Sequence, residues 1–551
     1  MTNHQSRNYL GWAALLGVAA LGCDFSVTNP GPVEDRFLDD LTARRAIVTG
    51  AQRALANSIQ ANQGDILYYV AAITFELNPA GSTGSFGINT QVQDGRLLED
   101  IQSYTWNDAS EARWVAEDAI RRLTKIASPE DSLLAVANLW AGYANRLMGE
   151  NFCNAVIDGG PEEERTVYFT RAEGYFTEAN RVAGVAGKAN VASAALAGRA
   201  SARAYLATYN SNNTATWASA AADAAAVTSN TFRWVLPFSD QSQDQYNGLF
   251  HAQAAQPYKA HTQWATYYDL YNRTTAADTR ISWLMRLQSA STTVATASVP
   301  GATTLTVADA GALGTGARAE AWLVVDATGT KEVVQIASVS GNTFTLRNPL
   351  SVAHVTTHTV RLAELGDAAV GKFGGNVPHF PQQKYASRSA AVAFSSGWEM
   401  RLLQAEEALV RGQVAEAVGY MNQRRANLSL SNIPVGTPDE AWTALKAERA
   451  LELWLEARRL GDLSRWDAAP SPGTTFDGVW RDTDGDGTWE QLESMTTPNQ
   501  RSLCFPVGRG EKQTNCHYLG TCSWGVPPGA GGPCRQPSDP STQPVGGSLP
   551  L

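Results

Sequence analysis

Past Cys23 the chain has no apolar run long enough to cross a bilayer, so any membrane attachment must come from its N-terminus. It also lacks the short signatures of common catalysis. There is no G-x-S-x-G elbow, no H-E-x-x-H, no P-loop, and no G-x-G-x-x-G placed after a strand. Positive charge is in deficit, with 43 Lys and Arg against 53 Asp and Glu for a formal net charge of -10. Basic residues never run beyond pairs such as Arg424-Arg425, which disfavours nucleic acid as a partner. Histidine is sparse at 7 residues and cysteine at 6. Cys516, Cys522 and Cys534 contain no C-x-x-C pair, so disulfides are a better reading of them than zinc.

Against these absences stands a bacterial secretion signal over residues 1–22. Arg7 lies near its start, an apolar run extends from about Leu10 to Leu21, and Gly22 precedes Cys23, the expected lipidation site. Residues 23–37, with Asn29-Pro30-Gly31-Pro32, read as an extended tether. Export permits disulfides among Cys153, Cys504, Cys516, Cys522 and Cys534. Their connectivity is open, a bridge from Cys153 to Cys504 being one that would tie the tail to the body.

Helical periodicity then dominates. Asp40 to Ala61, Trp106 to Ile126, Ser132 to Met148, Tyr168 to Ala183, Ala192 to Tyr209 and Thr216 to Thr228 carry apolar stripes, with many alanines that let helices approach closely. Between about 290 and 365 the period changes to that of strands. Thr303 to Val307, Trp322 to Val325, Glu332 to Ile336, Thr343 to Leu346 and His358 to Leu362 are short β-branched runs separated by turn residues. They predict an inserted barrel or sandwich of about five or six strands, read as a passive decoration in preference to a surface that touches another molecule. His354 and His358, placed on a strand, would face one side and form a surface pair.

Residues 482–493 fit the twelve-position calcium loop. Asp482, Asp484 and Asp486 take the first carboxylate positions, Gly487 supplies the sharp turn, Thr488 a backbone carbonyl, Glu490 the ninth position and Glu493 the last. A structural Ca2+ is the expected cofactor. Residues 537–551, rich in Pro, Ser and Gly, read as a disordered tail.

The closing helices are the most informative stretch. Trp398, Leu402, Ala405 and Leu409 lay an apolar stripe on a helix that Gly412 ends. Val414, Val418 and Met421 begin its hairpin partner, and Thr437-Pro438-Asp439-Glu440 caps a third helix predicted to run to about Arg459. Glu448, Glu452 and Glu456 share one side of it. Interleaved arginines such as Arg449, Arg458 and Arg459 favour a structural network there over an acid–base dyad. This order of parts, an Ala/Glu-rich helix into Arg411-Gly412, then Met421-Asn422-Gln423-Arg424-Arg425, Glu448-Arg449 and Arg458-Arg459-Leu460-Gly461-Asp462-Leu463-Ser464-Arg465-Trp466, resembles the RagB/SusD family. Leu147-Met148-Gly149, Asp278-Thr279-Arg280 and Lys384-Tyr385 are similar to shorter landmarks of that family, the first at a glycine turn, the others flanking the insertion.

The resemblance implies a mainly α, tetratricopeptide-like helical scaffold with a small inserted all-β domain: SusD-like body over 38–289 and 366–470, β insertion over 290–365, and a calcium-loop and cysteine-rich region over 471–536. It implies an outer-membrane surface lipoprotein, not an enzyme, that captures oligosaccharide or peptide and delivers it to a SusC-like TonB-dependent transporter. A secreted calcium-dependent glycan hydrolase or a structural surface scaffold are the rival expectations. Ligand-stacking candidates are Phe86, Trp264, Tyr267, Tyr268 and Tyr271, because aromatic faces suit sugar rings. The helical spacing of the last four, however, favours a core stripe.

Overall fold

In the computed structural model of the chain, the described residues are 35–60, 66–80, 92, 95–100, 103–128, 131–254, 259–272, 278–327, 330–366, 377–475, 479–481, 490–493 and 502–520. The scaffold is built from α1 (Arg44–Gln60), α2 (Ile66–Ile73), α3 (Ser103–Ile126), α4 (Ser132–Asn151), α5 (Thr166–Val185), α6 (Ala189–Tyr209) and α7 (Thr214–Ala226). It closes with α8 (Gly397–Val410), α9 (Val414–Asn427), α10 (Pro438–Glu452) and α11 (Arg459–Ala468). Among the described residues no helix is long and apolar enough to cross a membrane.

Successive helices from α4 to α7 pack on one another in sequence, the arrangement expected of tetratricopeptide-like pairs. Small residues make this possible at one crowded point. Phe176 on α5 lies between Gly142 on α4 and Gly198 on α6, and a Cβ on Gly198 would come within 2.4 Å of its ring. Gly149, read as a turn, is inside α4, which continues to Asn151. Its missing side chain instead makes room for Phe169. Helix α2 is apolar or aromatic throughout and buried except at Tyr69, so it carries no periodicity from which it could be predicted.

The caps of the closing helices follow their sequence signals. Thr437 and Glu440 form a reciprocal capping box on α10, and Gly412 turns between α8 and α9 with φ 74°. Helix α10, however, stops at Glu452, short of the predicted Arg459. The chain then turns, with Leu455 and Ala457 both at φ 57°, a conformation that costs a non-glycine residue about 1 kcal/mol or more.

The insertion is a six-stranded antiparallel sheet: β1 (Leu287–Thr293), β2 (Thr304–Thr306), β3 (Trp322–Ala327), β4 (Thr330–Ser340), β5 (Thr343–Leu346) and β6 (Thr359–Ala363), in the order β1-β6-β3-β4-β5-β2. Its two edges meet through an antiparallel bridge between Val294 and Val307. The amide of Ala295 donates to Thr306 at 2.8 Å and that of Ala308 to Thr293 at 2.9 Å, so the sheet closes on itself there into a small barrel. Leu305, Leu323, Val325, Ile336, Phe344 and Val360 fill it as a core separate from that of the body.

The barrel is docked, not merely tethered. Trp322 and Val324 on β3 belong to the body's core, and the Trp322 ring meets Trp264 edge-on at 4.8 Å. Beside this contact is a cavity of about 110 Å³ lined by Gln288, Arg318, Trp322 and Leu365.

The C-terminal region is joined to the body by a disulfide between Cys153 and Cys504. Phe152 pairs with Phe505 in a parallel bridge beside it. Cys516, buried, is also disulfide-bonded.

Candidate functional site

The residues singled out in sequence meet at the turn between α10 and α11. The amide of Leu455 donates to Glu76 Oε1 at 2.7 Å, the indole of Trp454 donates to the Glu76 carbonyl at 3.2 Å, and the Tyr385 hydroxyl donates to the Leu455 carbonyl at 2.7 Å. Lys384 donates to the Trp454 carbonyl and pairs with Glu456 at 2.8 Å. The strained turn is therefore held by residues from two distant segments. Burial pushes the Glu76 carboxyl up to about 7, against the Leu455 amide and the charges of Arg459 and Lys384, which pull the other way.

The glutamates of α10 are bracing, but with partners other than those expected. Glu448 pairs with Arg280 at 2.6 Å and Arg425 at 2.7 Å, and Glu452 with Arg424 at 2.8 Å and Arg280 at 3.5 Å. Arg280 is fixed in turn by Asp278 at 2.6 Å. Arg449 instead pairs with Asp462 at 2.8 Å, and Arg458 with Glu399 at 2.8 Å and Glu150 at 3.1 Å. Arg465 grips Glu406 at 2.5 Å and Asp462 at 3.0 Å. Apart from Glu452, which is partly buried, these α10 and α11 charges are buried, not on an exposed face. Burial alone would raise Asp462, but Arg449 and Arg465 hold its carboxyl far below the usual range. In Glu399 the same contest with burial is won by Arg458 and Arg146, aided by the Ser201 hydroxyl.

The aromatic candidates separate. Trp264 (4% exposed) and Tyr268 (3%) are core residues, so neither offers a free stacking face. Trp264 is taken up by Trp322 and Tyr268 lies on Trp454 at 6.0 Å. Their helical spacing misleads because the backbone there is a turn followed by a short 3-10 helix, Tyr267–Asn272. Asn78 donates to the Trp264 carbonyl at 2.9 Å, the amide of Trp264 donates to the Thr262 hydroxyl at 3.1 Å, and Ala265 takes φ 60°. Tyr267 is the half-buried member, edge-on to Tyr268 at 5.8 Å. Phe86 and the side chain of Tyr271 lie outside the described residues, as do Cys23, Asp482, Asp484, Asp486, Thr488, the side chains of Glu490 and Glu493, Cys522 and Cys534.

Two features had no signal in the sequence, because each joins remote residues. Tyr246 is half-buried with the Arg388 guanidinium 4.7 Å from its ring centre and His251 edge-on at 4.7 Å. An open groove of about 610 Å³ runs along α5 to α7, lined by Thr166, Thr170, Glu173, Arg203, Tyr209 and Asn210. Its arginine is held by Glu173 at 2.7 Å and Asp223 at 2.8 Å. Behind the Tyr267 segment, His261 and His379 are buried and burial lowers each to about 3. Among the described residues neither ring nitrogen of His379 has a hydrogen-bond partner.

The geometry describes a rigid helical scaffold whose buried charges are spent on one another, with a docked barrel beside a half-exposed tyrosine. Comparison with known proteins shows what the chain is similar to. Residues 399–514 match the model of the SusD family, which bears out the resemblance read from the closing helices. Solved structures similar over most of the chain include a SusD/RagB family protein from Bacteroides thetaiotaomicron, at 13% identity and TM-score 0.51, covering 87% of this chain and 95% of that one. A SusD superfamily protein from Parabacteroides distasonis is 10% identical with TM-score 0.51, covering 86% and 98%. A SusD-like protein from Bacteroides fragilis is 12% identical with TM-score 0.50, covering 87% and 96%. At these identities the likeness is one of fold, and the fold is SusD-like. No curated protein matches the chain.

Proposed function

We propose that the chain is a surface lipoprotein, anchored through Cys23 to the outer membrane, that captures an oligosaccharide or peptide and delivers it to a SusC-like TonB-dependent transporter without transforming it. The observation that carries this reading is the SusD-family match over residues 399–514. Within that stretch Glu448, Glu452 and Glu456, the carboxylates that first invited a catalytic role, are each paired with a cation, which fits a scaffold better than an acid–base pair. Of the aromatic candidates read from the sequence, Tyr267 is the described one that is not buried in the core.

The test is binding of the purified chain to a glycan and peptide panel, with co-purification from detergent-solubilised membranes. A saturable ligand and a co-purifying barrel are expected. Tyr267→Ala should weaken that ligand about 2- to 10-fold, the worth of one aromatic contact. A chain that binds nothing on the panel and brings down no barrel sinks the proposal.

A Ca2+ ion held by Asp482, Asp484, Asp486, the Thr488 carbonyl, Glu490 and Glu493 fits this reading as a staple of the C-terminal region. Val479–Arg481 and Glu490–Glu493 pair antiparallel, with Arg481 opposite Glu490 and Val479 opposite Glu493, so the residues flanking 482–489 are brought together. Calcium at about 100 times its Kd should add about 2.7 kcal/mol to the stability of the unit it staples. Calorimetry with calcium against chelator checks this: a lower Tm in chelator, abolished by Asp484→Asn, is expected. An unchanged Tm rules the staple out.

A further inference from the structure

The barrel holds a histidine pair that its packing does not require. His354 lies in the loop between β5 and β6, not on a strand, and is 0% exposed, which overturns the reading of a surface pair. Its amide donates to the Ser298 carbonyl at 3.1 Å. Its Nε2 lies 2.6 Å from Oε2 of Glu332 on β4, while the other oxygen of Glu332 accepts from the Ser351 amide and, at 2.8 Å, from the Ser351 hydroxyl. An ionised carboxylate can only accept. In the neutral tautomer that donates from His354 Nε2 to Glu332, Nδ1 presents a lone pair. That Nδ1 faces Nδ1 of His358 at 3.1 Å, with the two rings 82° apart. The Val355 amide also points at His358 Nδ1, from 3.4 Å. His358 is half-buried, which leaves the pair open on one side.

We propose that His354 Nδ1 and His358 Nδ1 are the two protein ligands of a zinc ion bound at the end of the barrel. Zinc–imidazole bonds are about 2.0–2.1 Å, so two nitrogens of a tetrahedral site are about 3.3 Å apart. The observed 3.1 Å separation lies within a small side-chain adjustment of that. A carboxylate behind a ligating histidine, fixing its tautomer and ring, is the usual companion of such a ligand, and Glu332 occupies that place. Imidazole ligands select zinc over calcium or magnesium, which separates this site from the oxygen-rich loop at 482–493. Among the described residues no group of three or more His, Cys, Asp or Glu converges on a common ion position. Two imidazoles fill two positions of a tetrahedral ion, and the proposed site would take water or an incoming group at the others. Occupied, it would tie the loop carrying His354 to the start of β6.

The experiment is a calorimetric zinc titration of the full-length chain in excess calcium, which fills the acidic loop, repeated with cobalt to read coordination from its visible absorption. One saturable site is expected. Glu332→Gln should weaken it 10- to 100-fold, and His358→Ala should abolish both the heat and the cobalt bands. Circular dichroism checks that each variant is folded, and His358→Asn replaces the alanine variant if that one is not. No saturable binding by the native chain, or undiminished binding by either His358 variant, would show that the two rings share only a hydrogen bond and would overturn the site.

Discussion

Glu406→Ala is expected to destabilise the scaffold by about 3–5 kcal/mol, read as a lowered urea midpoint of the whole chain, because it breaks a buried ion pair from one side. Glu406 is 1% exposed. It accepts from both terminal nitrogens of Arg465, at 2.5 and 2.8 Å, and from the Trp466 indole at 3.0 Å. Arg449 Nε lies 4.0 Å away. With Asp462 these form a balanced set of two carboxylates and two guanidiniums, and the alanine leaves one buried cation without its counter-charge. Lys446 is a second witness. Burial already pushes its ammonium down to about 8 against the pull of Glu406, and losing that carboxylate should lower it further. Two alternatives predict different outcomes for the double variant Glu406→Leu, Arg465→Met. If charge imbalance is the cost, removing both partners should recover most of the loss. If the pair acts mainly by filling space around Trp466, the double variant should be no better than the single. A loss below about 1 kcal/mol for Glu406→Ala would place the pair in the class of exposed bridges and remove the bracing role.

The same cluster shows how far the sequence carries. The capping box at Thr437 and Glu440, the stop at Gly412 and the strand periods of the barrel are local chemistry, and the structure has them where the residues stand. The break after Glu452 is not local. Nothing in Leu453 to Arg458 announces a turn, since Leu455 and Ala457 adopt a backbone ordinarily left to glycine. What holds it is Glu76, 379 positions away from Leu455, together with Lys384 and Tyr385. Asp278-Thr279-Arg280 and Lys384-Tyr385 stood in the sequence as isolated likenesses to a family. In three dimensions Arg280 and Lys384 are the cations that neutralise Glu448 and Glu456. The binding surface was less legible for a related reason. A four-residue aromatic spacing is the same in a helix as in a turn and 3-10 segment built on Thr262, Asn78 and Asp269, so spacing could not separate the half-exposed Tyr267 from the core residues Trp264 and Tyr268.

Glu76 gives the turn a pH dependence whose sign can be worked out. Its folded value, about 7, lies above the ordinary 4.5 because burial disfavours the carboxylate. The folded state therefore holds the proton more tightly than the unfolded chain does. Its contribution is fully present below pH 4.5 and is lost as pH rises through about 7. At 1.36 kcal/mol per unit the full loss is about 3 kcal/mol, reached by about pH 8. His261 and His379 tilt the opposite way, since burial lowers both to about 3 from an ordinary 6.5. Each keeps its stability above pH 6.5 and loses it as pH falls, so the native chain alone cannot isolate Glu76. Glu76→Gln can, because its amide oxygen still accepts from the Leu455 amide while the titrating proton is gone. Unfolding free energies of native and variant chains at pH 5 and pH 8 should then differ between the two pH values by about 3 kcal/mol, with the variant gaining relative to the native chain at pH 8. Parallel pH profiles for the two chains would mean that Arg459 and Lys384 fully compensate the burial, and that the turn after α10 is held by an ionised carboxylate at every pH tested.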